Sequence, residues 1–301
     1  VCDPNGLITE GSAVVRVRDE ELRGAWAFDD AAGTSAADAT WHGRDGALQG
    51  GATWTSGVHG GAVQLDGIDD FVSVPPLGLD TDRLTVCGWL RLDGFQSTFA
   101  GIAFWRGGST TAGLHLGPAG SELRYTWDAD AGTWGVPTGL AVPHGTWVFV
   151  AWTLEPDRST IHLHDGVAWQ RSTNLHAHAA LPFDTELRFG FDPNQPSRRI
   201  RGALDEFRVY DRALGDRELE DLRLRGGAAG APYPVDGDTF WPLPPQLAWT
   251  PSPLAVGHRL YFGDDFAGVA SAAPGSPFDQ GLLLVPGQPY FGGLPDARLF
   301  W

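Results

Sequence analysis

Two neighbouring carboxylates, Asp205 and Glu206, stand in the run ALDEFRVY and are the first candidates for acid–base chemistry. Cleaving a glycosidic bond takes two carboxyl groups facing each other across a cleft, one protonated and one ionised. Adjacent residues of a regular strand point to opposite faces, so these two are not expected to work as a pair. The sequence holds no Gly-x-Ser-x-Gly elbow and no His-Glu-x-x-His helix, which removes two common hydrolase signatures. His162 with His164, and His176 with His178, recur at alternate positions. If those segments paired, four imidazoles would meet and could take a transition metal; solvent-facing positions explain the same alternation without one. Cys2 and Cys87, the only cysteines, lack the neighbouring Cys or His spacing of a zinc site. Either they form a disulfide that pins the N-terminal segment to the core, or Cys87 is a small buried hydrophobe. No catalytic set assembles from these residues, and the chain is expected not to be an enzyme.

Aromatic side chains offer a different chemistry. There are 13 Trp and no Met. Trp105, Trp127, Trp134 and Trp169 stand beside turns, and Tyr125 alternates with Trp127. Exposed rings with polar neighbours stack on sugars, so a ligand-binding site is placed at Trp105, Tyr125, Trp127 and Trp134. Core or interface packing competes for each of these rings. Trp26, Trp89, Trp147 and Trp152 lie within apolar strands and read as core.

The elements that must position these residues are mostly strands. Gly 41, Pro 22 and 11% aromatic residues suit short strands joined by many turns. Alternating or apolar runs at Gly24–Phe28, Ala62–Leu65, Phe71–Val74, Leu84–Leu92, Phe99–Trp105, Ala112–Leu116, Glu122–Trp127, Trp147–Leu154, Thr160–His164, Glu186–Phe191 and Leu204–Tyr210 predict a β-sandwich rather than βαβ units. One helix is expected after them. Leu214, Leu219 and Leu222 lie at helical spacing, Gly215 or Asp216 serves as N-cap, and Arg217, Glu218, Glu220 and Asp221 face out.

A formal charge of −16, with all 21 basic residues Arg, argues against nucleic acid or an anionic membrane as partner. No apolar run reaches the length of a membrane span. The chain begins at Val1, as expected of a mature, processed protein.

Six segments in register resemble the laminin-G-like, concanavalin A-like jelly-roll family of bacterial extracellular proteins: Ala25–Thr40, Asp45–Pro75, Leu84–Leu92, Gly145–Glu155, Ser159–Trp169 and GALDEFRVYDRALGDRELEDL. The resemblance covers about 22–225 and implies an all-β fold, an antiparallel jelly-roll β-sandwich, with an extracellular or cell-surface location. It does not imply a function. Glycosidases of this architecture carry a Glu-x-Asp-x-x-Glu run, which is absent here. Related folds hold a structural calcium ion, Ca2+, and the segments that the resemblance brings together contain Asp29, Asp38 and Asp205, the preferred ligands; turn capping explains the same residues without an ion. Asp66, Asp69 and Asp70 read as hairpin-turn residues.

A linker is expected at 226–238. Beyond it, 239–301 resembles a fibronectin type III-like module, an immunoglobulin-like sandwich that lacks its last strand; 70 residues from Pro232 are short of the roughly 100 such a sandwich needs. Either the chain is truncated or another copy supplies the strand. The N-terminal segment 1–21 holds a candidate donor strand: Ala13, Val14, Val15, Arg16, Val17 and Arg18. The expected function is therefore structure, adhesion or recognition outside the cell. The partner is another copy of the chain, in a filament built by strand donation, or a surface glycan or protein bound by a lectin-like module. A third reading is an accessory module of a secreted glycosidase.

Overall fold

A computed structural model describes residues 21–40, 42–128 and 130–224, together with residue 277 and four short strands nearer the C-terminus. Asp19–Arg223 forms one of two compact units. Its strands, in chain order, are β1 (Leu22–Trp26), β2 (Ser35–Ala36), β3 (Gly46–Gln49), β4 (Thr53–Ser56), β5 (Gly61–Asp66), β6 (Phe71–Val74), β7 (Leu84–Leu92), β8 (Gly101–Gly107), β9 (Thr110–Leu116), β10 (Glu122–Trp127), β11 (Val136–Ala141), β12 (Trp147–Glu155), β13 (Arg158–His164), β14 (Trp169–Asn174), β15 (Leu187–Phe189) and β16 (Arg201–Tyr210). The helix α1 (Asp216–Leu224) follows.

The strands form two antiparallel sheets of eight. One runs β14-β13-β12-β7-β16-β5-β4, with β1 also on β16; the other runs β11-β10-β9-β8-β15-β6-β3-β2. This is the expected all-β jelly-roll sandwich. Side chains alternate across each strand, so Val148, Val150, Trp152 and Leu154 of β12 point into the core shared with the second sheet. Phe149 and Ala151 point the other way, where Leu214, Leu219 and Leu222 cover them. The helix thus buries the outer face of the first sheet, which is why β7 and β12 are apolar on both faces rather than alternating. Gly88 in β7 has a packing reason: a Cβ there would lie 2.5 Å from the Phe207 ring.

Gly215 precedes α1, and its N–H donates to Glu218 Oε2 at 2.9 Å. The third helical residue thus reaches back to the cap, half of a capping box.

Strand β16 meets β5 along Arg201–Leu204 and β1 along Phe207–Tyr210. At the seam its pairing with β7 shifts register between Asp205 and Arg208. Leu204 and Phe207 both enter the core, and Glu206 takes a left-handed φ of 55°. The simple alternation assigned to Asp205 and Glu206 from the sequence is corrected here: a bulge separates them, and Glu206 folds back to ion-pair with Arg208.

The expected strands at Phe71–Val74, Leu84–Leu92 and Glu122–Trp127 keep their limits. The expected linker contains a strand, β17 (Gly230–Tyr233), paired with β18 (Ala248–Thr250); β19 (His258–Tyr261) pairs with β20 (Asp279–Leu283). The rest of the fibronectin-like region, the segment Ala13–Arg18 and Cys2 lie outside the described residues.

Candidate functional site

Strand β14 is the edge of the first sheet, and its register on β13 sets Trp169 opposite His164 and Arg171 opposite His162. Ile161 and Leu163 of β13 belong to the core, so the two histidines and their partners lie on the outer face. The helix lies over that same face. Between α1 and the β13–β14 edge is a groove of about 350 Å³.

Its apolar lining is Trp169 and Leu219, with His162 beside them; Arg171, Asp216, Arg217 and Glu220 supply the polar lining. Trp169 is half-buried, with its indole held by Phe149 and His164 at centroid distances of 6.0 and 5.1 Å. Its Nε1–H donates to Glu220 Oε2 at 2.9 Å. Glu220 therefore turns into the groove rather than to solvent, as its helical position suggested. Arg223 also grips it, through Nε at 2.9 Å and Nη2 at 2.6 Å. That guanidinium, aided by the Trp169 indole, holds the Glu220 carboxyl down to about 2. Arg171 pairs with Asp216 across the groove mouth at 3.0 Å. His162 is only 7% exposed, its Nε2 lies 3.1 Å from Thr153 Oγ1, and burial pushes its pKa down to about 4. The ring is neutral over the physiological range and presents hydrogen-bonding capacity without charge.

Most of the aromatic residues proposed from the sequence do not reach solvent. Trp105, Tyr125 and Trp127 are at most 1% exposed. In the register of β8, β9 and β10 they share the inward face with Leu114 and Ala103, so they build core rather than a sugar platform. Trp127 donates its indole N–H to Ala179 O at 2.8 Å, and Tyr125 Oη accepts from Asn174 at 2.7 Å. Trp134 alone of the four is exposed, at 45%; Arg106 stacks over it at 5.5 Å. Trp169 was one of four turn-adjacent Trp residues. The signal that separates it is the alternation of Trp169 and Arg171 opposite His164 and His162.

Nor do Asp29, Asp38 and Asp205 converge: among the described residues their ligand atoms do not form a set within 4.8 Å of one another. Asp38 spends its oxygens on Ala25, Thr40 and Arg44 backbone N–H groups and the Thr40 hydroxyl. It organises a turn. Asp29 accepts from Gly61 N. Asp205 is fully buried; its Oδ2 accepts from Val58 N at 2.7 Å and His59 N at 3.0 Å, while Oδ1 has no hydrogen-bond partner. Burial pushes its pKa up to about 8, with Glu206 and Asp29 adding to the rise. The donor set does not fit the calcium ion expected there. Asp66, Asp69 and Asp70 do gather within 4.8 Å, but Asp66 accepts from Ile68 N at 2.7 Å and Asp70 from Asp66 N at 2.9 Å, as hairpin-turn residues do. The two histidine pairs also stay apart. His162 and His164 face Trp169, whereas His178 lies against Tyr125 and Trp127, with His176 beside it. Cys87 is buried beneath α1.

Residues 66–220 match the family model described as the concanavalin A-like lectin/glucanases superfamily. No curated protein matches the sequence. Among solved structures, domain 4 of AbnA, an extracellular arabinanase from Geobacillus stearothermophilus, in complex with arabinotriose, is similar with a TM-score of 0.53 and 18% identity, covering 67% of this chain and 98% of that domain. The binding domain of Paraclostridial Mosquitocidal Protein 1 gives 0.54 at 12% identity, over 81% of this chain and 58% of that one. Trypanosoma rangeli sialidase in complex with sialic acid gives 0.52 at 17% identity, over 75% of this chain and 36% of the enzyme. The chain therefore spans the whole arabinanase domain but only part of the other two proteins. At these identities the likeness is one of fold.

Proposed function

The chain belongs to the concanavalin A-like lectin/glucanases superfamily, and on that premise we propose that it is a non-catalytic recognition module that binds saccharide in the groove between α1 and the β13–β14 edge. The observation that carries this reading is the groove itself: a concavity of about 350 Å³ with an indole wall and convergent polar side chains. Ligand sites have this form, an apolar surface with a few placed polar groups. A pyranose or furanose ring would lie on Trp169, with hydroxyls reaching Asp216, Arg171 and the neutral His162. The complex of the arabinanase domain with arabinotriose supports the choice of ligand class.

The carboxyl groups support binding rather than hydrolysis. A glycosidase acid must hold its proton near neutral pH. Glu220 is held ionised, and Asp216 is exposed and ion-paired. Asp205, whose pKa burial lifts to about 8, is fully buried and does not line the groove. An extracellular setting accords with the family and with an accessory role beside polysaccharide.

The test is calorimetric titration of the intact protein with a panel of plant, bacterial and animal oligosaccharides. A binder should lose at least about tenfold in affinity in Trp169→Ala, equivalent to about 1.4 kcal/mol, and keep its affinity in Trp134→Ala. Affinity unaffected by Trp169→Ala overturns the proposal.

A further inference from the structure

One charge in the groove lining has no partner among the described residues. Asp216 is taken by Arg171 at 3.0 Å, and Glu220 by Arg223 and the Trp169 indole. Arg217, the remaining charged residue of the lining, has no ion pair or hydrogen bond to any described residue. Its position in the fold makes this more pointed. It is the second residue of α1, in the first turn, where a cation opposes the helix dipole and acidic residues are favoured. Its neighbours follow that preference: Asp216 and Glu218 are the acidic residues of the same turn. Helix stability therefore gives no reason for an arginine here, and neither does pairing among the described residues.

A second observation comes from the groove lining. His162 is buried, lines the groove, and among the described residues hydrogen-bonds only through Nε2. Its Nδ1 has no partner among the described residues. That nitrogen remains accessible to solvent, so it is open to a hydrogen bond from within the groove. Water or a ligand hydroxyl can supply it.

From these placements we infer that the groove selects a saccharide bearing an anionic substituent, a carboxylate or a sulfate ester, which pairs with Arg217 while the ring stacks on Trp169 and a hydroxyl meets His162 Nδ1. Arginine suits this role because its planar fork binds either oxyanion in bidentate geometry. In a chain of net charge −16 a general attraction for anions is excluded, so the preference depends on this one local cation. The inference rests on the saccharide reading of the groove and adds the chemical class to it.

The experiment uses matched pairs that differ only in charge. Oligogalacturonate is compared with its methyl ester, and glycosaminoglycan oligosaccharides with their desulfated and carboxyl-reduced forms, by calorimetry on the full chain. The wild type is expected to prefer the anionic member of at least one pair by about two- to fivefold, the weight of one solvent-exposed ion pair. Arg217→Gln, at an exposed position, should erase that preference, read as the ratio of anionic to neutral affinity within the one variant. The carboxylate and sulfate arms tell which oxyanion is read. If Trp169→Ala abolishes binding but Arg217→Gln leaves the charged-to-neutral ratio unchanged, or if only neutral members bind, the anionic assignment is overturned and the saccharide groove stands. If no saccharide binds the wild type, both fall.

Discussion

Replacing Asp205 by Asn should change how stability depends on pH, and the size of the change follows from its surroundings. Asp205 is fully buried beside the β16 bulge, with Oδ2 on the Val58 and His59 amides and Oδ1 unpartnered. Burial, reinforced by Glu206 and Asp29, lifts its folded-state pKa from 3.8 to about 8. A carboxyl in the unfolded chain ionises near pH 4. A raised folded pKa means the folded form binds the proton more tightly. Its contribution is fully present below the unfolded pKa and is lost as pH rises towards 8. Over that interval the loss is about 1.4 kcal/mol per pH unit, so roughly 3 kcal/mol between pH 5 and 7. Asn keeps an oxygen for the two amides and cannot titrate. Urea unfolding at pH 5, 6, 7 and 8 should therefore give a wild-type minus Asp205→Asn difference that falls steeply with pH, since every other group titrates alike in both. Parallel curves would refute the reasoning. So would a wild type that gains stability relative to the variant as pH rises and loses it in EDTA, because that pattern belongs to an ionised carboxylate held by a cation.

The remaining expectations concern the core and the helix. Trp127→Ala should destabilise the fold by about 3–5 kcal/mol through the cavity it leaves, with saccharide affinity unchanged under conditions where the variant remains folded; thermal melts and calorimetry separate the two. Glu218→Ala removes the acceptor of the Gly215 amide and should cost about 0.5–1 kcal/mol, read as a lowered urea midpoint at constant slope.

The sandwich was legible because its central strands are continuous apolar runs of strand length. Leu84–Leu92 and Trp147–Glu155 are apolar on both faces, and a strand of that kind has to be covered twice. The helix that covers the second face was legible too, from Leu214, Leu219 and Leu222. The edge strand β14 was not. WQRSTN is half-exposed and mostly polar, and β-propensity alone does not lift it above a loop. Without β14 the groove has no outer wall, so Trp169 could not be told from Trp105 or Trp127, which also sit beside turns. Whether a tryptophan faces in or out was decided by pairing register, a non-local quantity. The Asp29–Asp38–Asp205 expectation failed for a related reason. The sequence shows that Asp38 is near a turn, but not that its oxygens are consumed by Ala25, Thr40 and Arg44. The bulge at Glu206 left no mark beyond two adjacent acids, because a left-handed φ at a non-glycine residue is imposed by the surrounding packing.

The claim that α1 and the β13–β14 edge form a saccharide site is tested most directly by following the indole N–H resonances of the tryptophans during titration with a binding oligosaccharide. The Trp169 signal, identified by its loss in Trp169→Phe, should shift progressively to saturation, together with the amides of Arg171 and Arg217. Shifts centred instead on Trp134 and Arg106 would place the ligand on the other sheet and contradict the account.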